Sequence, residues 1–196
     1  ALLWHYRRPQ DRTVFSWVLR VLLWVEAEQR HAEREWVFAR SDISTTCLFH
    51  RPTSDAMDTE IILIREFRSA VRNASGFIHE LPGGSSHREQ APLQVAAEEV
   101  HEETGIIIPP MRFRSLGSRQ MIGTLSSHHA HLFAVELTPA EMAQAKAVAA
   151  AGTAYGVEED CERTYVEVTT FRDLLAGSLV DWTTVGMVAQ ALLGDS

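Results

Sequence analysis

Every element signalled before Pro92 is extended, and this asymmetry limits the fold more than any other feature of the chain. "VFSWVLRVLLWV" (Val14 to Val25) is rich in β-branched and aromatic residues and reads as one long strand. "EAEQRHAERE" follows as a charged turn, and "WVFARSDISTTCLFHR" as one or two strands. "PTSDAMDT" is a hairpin loop leading into the buried strand "EIILIREF", Glu60 to Phe67. "FIHEL" is a short strand before a Gly83-Gly84 turn.

The first helix is predicted over Pro92 to Thr104, with Pro92 in its first turn and Gly105 just past its end. "MRFRSLGSRQ" and "HHAHLFAVEL" add two strands. "TPAEMAQAKAVAAAG" adds a helix in which Thr138 and Glu141 can form a capping box and Gly152 is the stop. "TAYGVEEDCER" is an acidic loop, "TYVEV" a strand, "FRDLLAG" a short helix and Trp182 to Leu193 a last apolar helix. Strands first, then mixed strands and helices, predict an α+β chain built as an α/β sandwich with a mixed sheet. Residues 1–40 have no helix to cover them. They read as a β extension that packs on a second subunit or caps the main sheet of residues 41–196.

The apolar run Val14 to Val25 contains Arg20 and falls short of the roughly 20 residues a membrane helix needs. It also lacks signal-peptide flanks, so the expected setting is cytoplasmic and off the membrane. The chain opens on Ala, which leaves an upstream segment, and with it an organelle, open. A net charge of −8 and the lack of a basic aromatic stripe argue against a nucleic-acid platform. Cys47 and Cys161 form neither a disulfide framework nor a four-ligand zinc site. Trp17, Trp24 and Trp36 read as core or interface residues.

The predicted helix at Pro92 carries Glu98, Glu99, Glu102 and Glu103 close together. Like charges three and four apart cost a helix a few tenths of a kcal/mol per pair, at about 0.2–0.5. On a helical wheel with Glu99 at zero, Glu103 falls at about 40° and Glu102 at about 300°. Leu93, Ala96, Ala97, Val100 and Thr104 fill the arc from about 60° to about 160° and form the predicted buried stripe. Glu98 lies near 260°, toward solvent. Glu99 and Glu103 then stack beside the buried edge with Glu102 flanking. A solvated acidic face accounts for such a cluster as well as a cation does. A divalent cation would turn the repulsion into attraction, because Mg²⁺ takes oxygen ligands. The Gly83-Gly84 turn allows a backbone carbonyl to approach the same ion.

The whole segment resembles the Nudix box, G-x5-E-x7-R-E-U-x-E-E-x-G-U with U aliphatic. Gly84 opens it, and "EVHEETGI" supplies Glu99, Val100, Glu102, Glu103, Gly105 and Ile106. "ELPGG" is similar to the ADP-ribose and nucleotide-sugar pyrophosphatases of that family, and the wider pattern runs roughly from residue 40 to residue 193. The resemblance implies a Nudix-type α/β/α sandwich. It further implies hydrolysis of the pyrophosphate in a nucleoside diphosphate linked to another moiety, with Mg²⁺ or Mn²⁺ as cofactor. Glu99, Glu102, Glu103 and the Gly83 carbonyl are the implied metal ligands. By analogy with the pyrophosphatase branch the chain is expected to form a homodimer.

Two positions depart from the box. Gln90, with Glu89 beside it, stands where the family has Glu, and Glu98 where it has Arg. The family's pair is understood to support the ligand glutamates, so the ligand set survives without its usual support. The two changes are complementary, and a hydrogen bond donated by the Gln90 amide to Glu98 would replace the ion pair. The departure implies a changed metal requirement or lowered activity. The alternative is a catalytically weak or inactive Nudix-fold protein that binds a nucleotide or serves in a larger assembly.

Relatives take a base from a late loop, where this chain has Glu158, Glu159, Asp160 and Glu162. Glu162 matches best and Glu159 next. "LIREFRSAV" is similar to a "QFRP" stretch of the sugar-nucleotide branch, with Ser69 in place of Pro, which makes Arg65 and Arg68 candidates for phosphate contacts. Glu80 is a candidate acceptor for ribose or base, although all three also suit structural ion pairs. His129 and His131 share one strand face with His128 opposite. His129 is the candidate pocket residue, since this region lies near the substrate in relatives.

Overall fold

The computed structural model describes residues 1–9, 12–85, 90–156 and 163–194. The chain divides into two compact units. One comprises Ala1–Ile43 and Ser118–Ala130, the other Ser44–Gly117 and His131–Ser196.

The first unit contains the strands β1 (Leu2–Arg7), β2 (Val14–Val25) and β3 (Arg30–Arg40), joined as an antiparallel sheet in that order. The charged turn is tighter than its composition predicts. Glu26–Glu28 form one 3-10 turn, Gln29 takes a left-handed conformation with φ 50°, and pairing resumes at Arg30 opposite Val25. "RHAERE" pairs despite its charge, through Arg30, His31, Ala32 and Glu35, with a register shift between Val21 and Leu23. Segment 118–130 joins this unit through Phe38, whose N–H donates to the Leu125 carbonyl and whose carbonyl accepts from Ser127 N–H. Trp24 and Trp36 are exposed, so neither belongs to a core of this unit.

The second unit is a mixed α+β structure. Its strands are β4 (Ile43–His50), β5 (Glu60–Phe67), β6 (Phe77–Glu80) and β7 (Gly83–Gly84), then, after α1 (Pro92–Thr104), β8 (Arg114–Gln120) and β9 (His129–Glu136). After α2 (Pro139–Ala151) come β10 (Ala154–Tyr155), β11 (Thr164–Thr170), α3 (Phe171–Ala176) and α4 (Trp182–Leu193). Strand order is β10-β11-β5-β4-β9-β8, with β6 also paired to β5 and β7 to β4. The first residues of β9 and the last of β8 fall in the first unit.

Strand alternation sorts the side chains onto two faces. Leu48, Ile62, Phe133, Val135 and Val166 point to one side and pack with Ala96 and Val100 of α1 and Met142 and Ala145 of α2. Cys47, Phe49, Ile61, Leu63, Leu132 and Ala134 point to the other and pack with Leu174 of α3 and Val188 and Leu192 of α4. The unit is therefore layered helix, sheet, helix, and Ile61 to Ile64 of β5 form a continuous apolar run because both faces of the strand are covered.

The capping box of α2 forms as predicted. The Thr138 side chain accepts from Glu141 N–H, and the Glu141 carboxylate accepts from Thr138 N–H. The predicted Gly83-Gly84 turn is instead a two-residue strand, paired through Thr45↔Gly83 and Ser44↔Gly84. Among the described residues no helix is long and apolar enough to cross a membrane.

Candidate functional site

Helix α1 places its carboxylates by wheel position, with one difference from the predicted stripe. Ala96, Val100 and Thr104 are buried, and Leu93 and Ala97 pack partly against the core. Val95 and Glu103 are buried as well, so the covered arc is wider and Glu103 lies inside it rather than beside it. Glu98 and Glu102 are exposed, and Glu99 is half-buried.

A carboxylate only 5% exposed needs hydrogen bonds. Gly83 N–H donates to Glu103 Oε2 at 2.8 Å. Thr164 Oγ1 anchors the same residue by donating to its backbone carbonyl at 3.2 Å. The two glycines then have separate reasons. A Cβ on Gly83 would meet the Ser44 carbonyl oxygen and Thr45 Cα, both backbone, at 2.4 and 2.7 Å. A Cβ on Gly84 would occupy the place of the Glu99 carboxylate. Strand β7 thus holds Glu103 by a hydrogen bond and leaves room for Glu99 by lacking a side chain.

The Gln90 side-chain amide donates to both carboxylate oxygens of Glu98, each at 3.1 Å. This is the hydrogen bond anticipated between Gln90 and Glu98. It ties the segment before α1 to the helix surface without a cation.

Arg68 stands on the α1 side of the sheet edge. Its Nη2 lies 2.9 Å from Glu66 Oε2, and its Nε donates to Glu80 Oε2 at 3.2 Å. Burial works against the Arg68 charge, but Glu80, Glu66 and Glu103 outweigh it, so its pKa is raised. Two expected substrate contacts, Arg68 and Glu80, are therefore paired with each other. Glu66, which reading by motif missed, completes the group. Strand alternation could have found it, since Glu66 shares the face of Ile62 and Ile64.

Arg65 points to the opposite face. It donates to Glu167 Oε1 at 2.8 Å and stacks on Phe77 and Tyr165 at 4.7 and 4.6 Å. Glu167 also meets His79 Nε2 at 2.7 Å. Arg65 is thus not brought together with the glutamates of α1. His129 belongs to the first unit, is exposed, and donates its backbone N–H to Asp42. Glu158, Glu159, Asp160 and Glu162 lie outside the described residues.

The donor set around β7 and α1 consists of hard oxygens, the type that suits Mg²⁺ or Mn²⁺. The gap left by Gly84 admits the Glu99 carboxylate beside the strand, which fits such an ion's need for closely approached ligands. Among the described residues no group of three or more His, Cys, Asp or Glu side chains already converges as a metal site. Comparison with protein-family models finds no match, and no curated protein matches the chain significantly.

Proposed function

We propose that this chain is a metal-dependent pyrophosphatase acting on a nucleoside diphosphate linked to another moiety, such as ADP-ribose or a nucleotide sugar. The observation that carries the reading is the interlock of β7 and α1: Gly83 N–H on Glu103 and the Gly84 gap filled by the Glu99 carboxylate. A solvated acidic face has no use for either glycine.

Glu99, Glu102, Glu103 and the Gly83 carbonyl would hold Mg²⁺ or Mn²⁺. When bound, the ion neutralises pyrophosphate oxygens and polarises phosphorus. The chain's own residues do the rest. Gly83 N–H fixes one oxygen of Glu103, which holds that carboxylate in a single orientation. Arg68 exchanges a carboxylate partner for a phosphate oxygen, a geometry its planar fork suits. Water adds its oxygen to phosphorus, the bridging P–O bond breaks, and two phosphomonoesters leave. The water proton passes to a carboxylate, for which Glu162 and then Glu159 are the candidates by resemblance. The proposal includes a homodimer built through the first unit, whose Leu22, Trp24 and Trp36 side chains are exposed.

The test is incubation of the purified chain with Mg²⁺ or Mn²⁺ and a panel of nucleoside diphosphate derivatives. Release of nucleoside monophosphate is expected, and Glu103→Gln should abolish it. Failure to release monophosphate from any substrate with either metal would sink the proposal. The second reading, a nucleotide-binding protein without turnover, is favoured by the ion pairs that engage Arg68 and Glu80. Calorimetric binding of a nucleotide without metal dependence or turnover would support it.

A further inference from the structure

On the sheet face opposite α1, next to the last turn of α4, the second unit holds a cavity of about 480 Å³. Phe49, Ala134 and Leu192 give it an apolar floor. Among the described residues, Arg51, Arg112, Arg114 and the carboxylate of Glu136 also line it. In a chain of net charge −8, that lining holds more guanidiniums than carboxylates around an apolar floor.

The three arginines differ in how firmly they are held. Arg112 grips Glu141 with two nitrogens, at 2.5 and 3.0 Å, and is a fixed wall. Arg51 reaches Glu136 Oε2 and the Leu192 carbonyl only at 3.3 Å each, and lies 4.6 Å above the Phe49 ring. Arg114 donates to the Ala191 carbonyl at 3.2 Å. The two Arg51 contacts are long for N–H···O bonds, and the Arg51–Glu136 pair is open to water on both sides. Such an exposed pair contributes little, so another anion can replace Glu136 cheaply.

Arg51 and Arg114 line the same cavity. Burial pushes the Cys47 thiol up to about 12, and these two guanidiniums both pull it the other way. The carbonyls of Ala191 and Leu192 belong to the last turn of α4, where arginines commonly cap. Capping accounts for one bond from each guanidinium. It does not account for the cavity or its apolar floor.

We propose that this cleft binds a small organic anion, with a carboxylate or phosphate head held by Arg51 and Arg114 and an apolar body lying on Phe49, Ala134 and Leu192. The ligand displaces Glu136 from Arg51 while Arg112 stays on Glu141. This site is independent of the proposed pyrophosphatase site, which lies on the other face of the sheet.

The experiment is calorimetry of the full chain in EDTA, which silences any metal-dependent phosphate binding at α1. The probes are AMP, benzoate and inorganic phosphate. Saturable one-to-one binding of AMP or benzoate is expected, with inorganic phosphate weaker because it lacks a body to lie on the floor. A preference for AMP identifies a phosphate head, and one for benzoate a carboxylate head. Arg51→Met and Arg114→Met should each weaken binding about tenfold. Glu136→Gln removes the competing carboxylate from an exposed position and should tighten binding about threefold. A purely structural arginine cluster would not show that gain. Absence of saturable binding of both AMP and benzoate to the unaltered chain overturns the proposal. So does an affinity that Glu136→Gln leaves unchanged or lowers.

Discussion

Two adjacent glycines show how differently one missing side chain can act. At Gly83 a Cβ would run into the backbone of Ser44 and Thr45, which cannot move without parting β7 from β4. At Gly84 it would run into the end of the flexible Glu99 side chain, which can swing away. Gly83→Ala should therefore cost roughly 1–3 kcal/mol, the usual range for overpacking, while Gly84→Ala should cost far less. The same Gly84→Ala change should nonetheless lower the proposed metal-dependent turnover, because it evicts the Glu99 carboxylate. Urea denaturation and turnover measured side by side check both halves, and equal destabilisation by the two changes would contradict this account. Glu141 supplies a second prediction. Its hydrogen bonds from Arg112, helped by Thr138, hold its carboxyl down at about 2. A depressed folded pKa adds stability that is complete above the ordinary glutamate value and is lost as pH falls toward about 2. Arg112→Ala should return Glu141 toward an ordinary glutamate titration, observable by NMR, and shift that loss to higher pH.

Among the elements, α1 and α2 are punctuated in different ways. The first starts on Ala91 and Pro92 without a side-chain cap, ends at Gly105, and is held by packing and by the Gly83–Glu103 bond. The second has a full capping box, which fills two of the donors that a helix start leaves open. Thr138→Ala should destabilise the fold by about 1 kcal/mol, within the range of about 0.5–2 measured for such caps. Denaturant titration with an unchanged slope is the expected result. No loss of midpoint would mean that Glu141, held by Arg112, suffices alone. Strand β3 makes the complementary point, because its charged first half also pairs with β2, through a register shift between Val21 and Leu23. What it needed was a partner strand and a tight turn at Gln29.

For the whole molecule, the first unit exposes apolar side chains along β1, β2 and β3, among them Leu22 and Trp24. Single exposed apolar residues are ordinary, and a run of them on one small sheet is what supports the proposed homodimer. The proposed homodimer predicts that the chain sediments at twice its mass of 22.0 kDa at micromolar concentration. Leu22→Glu combined with Trp24→Glu should give a monomer. A monomeric unaltered chain would remove the dimer from the proposal.

The sequence by itself determined the extent of β2, β5, α1, the cap of α2 and α4, because each carries its own periodicity and punctuation. The layered α+β arrangement was legible for the same reason: four consecutive apolar residues, Ile61 to Ile64 of β5, require cover on both faces. The hydrogen bond from Gln90 to Glu98 was open to a sequence reading as one possibility, and the fold makes it. Tertiary structure alone decided which partners each charge would meet. Arg65 and Arg68 are three apart, so alternation sends them to opposite faces, but only the fold gave Glu167 to the one and Glu80 to the other, with His79 beside Glu167 and Glu66 beside Arg68. It alone turned Gly83-Gly84 from a turn into a strand, and it alone gathered Arg51, Arg112 and Arg114 around one cavity. Local patterns record a residue's neighbours along the chain, whereas partners remote in sequence are chosen by which strands pair and which helix covers them.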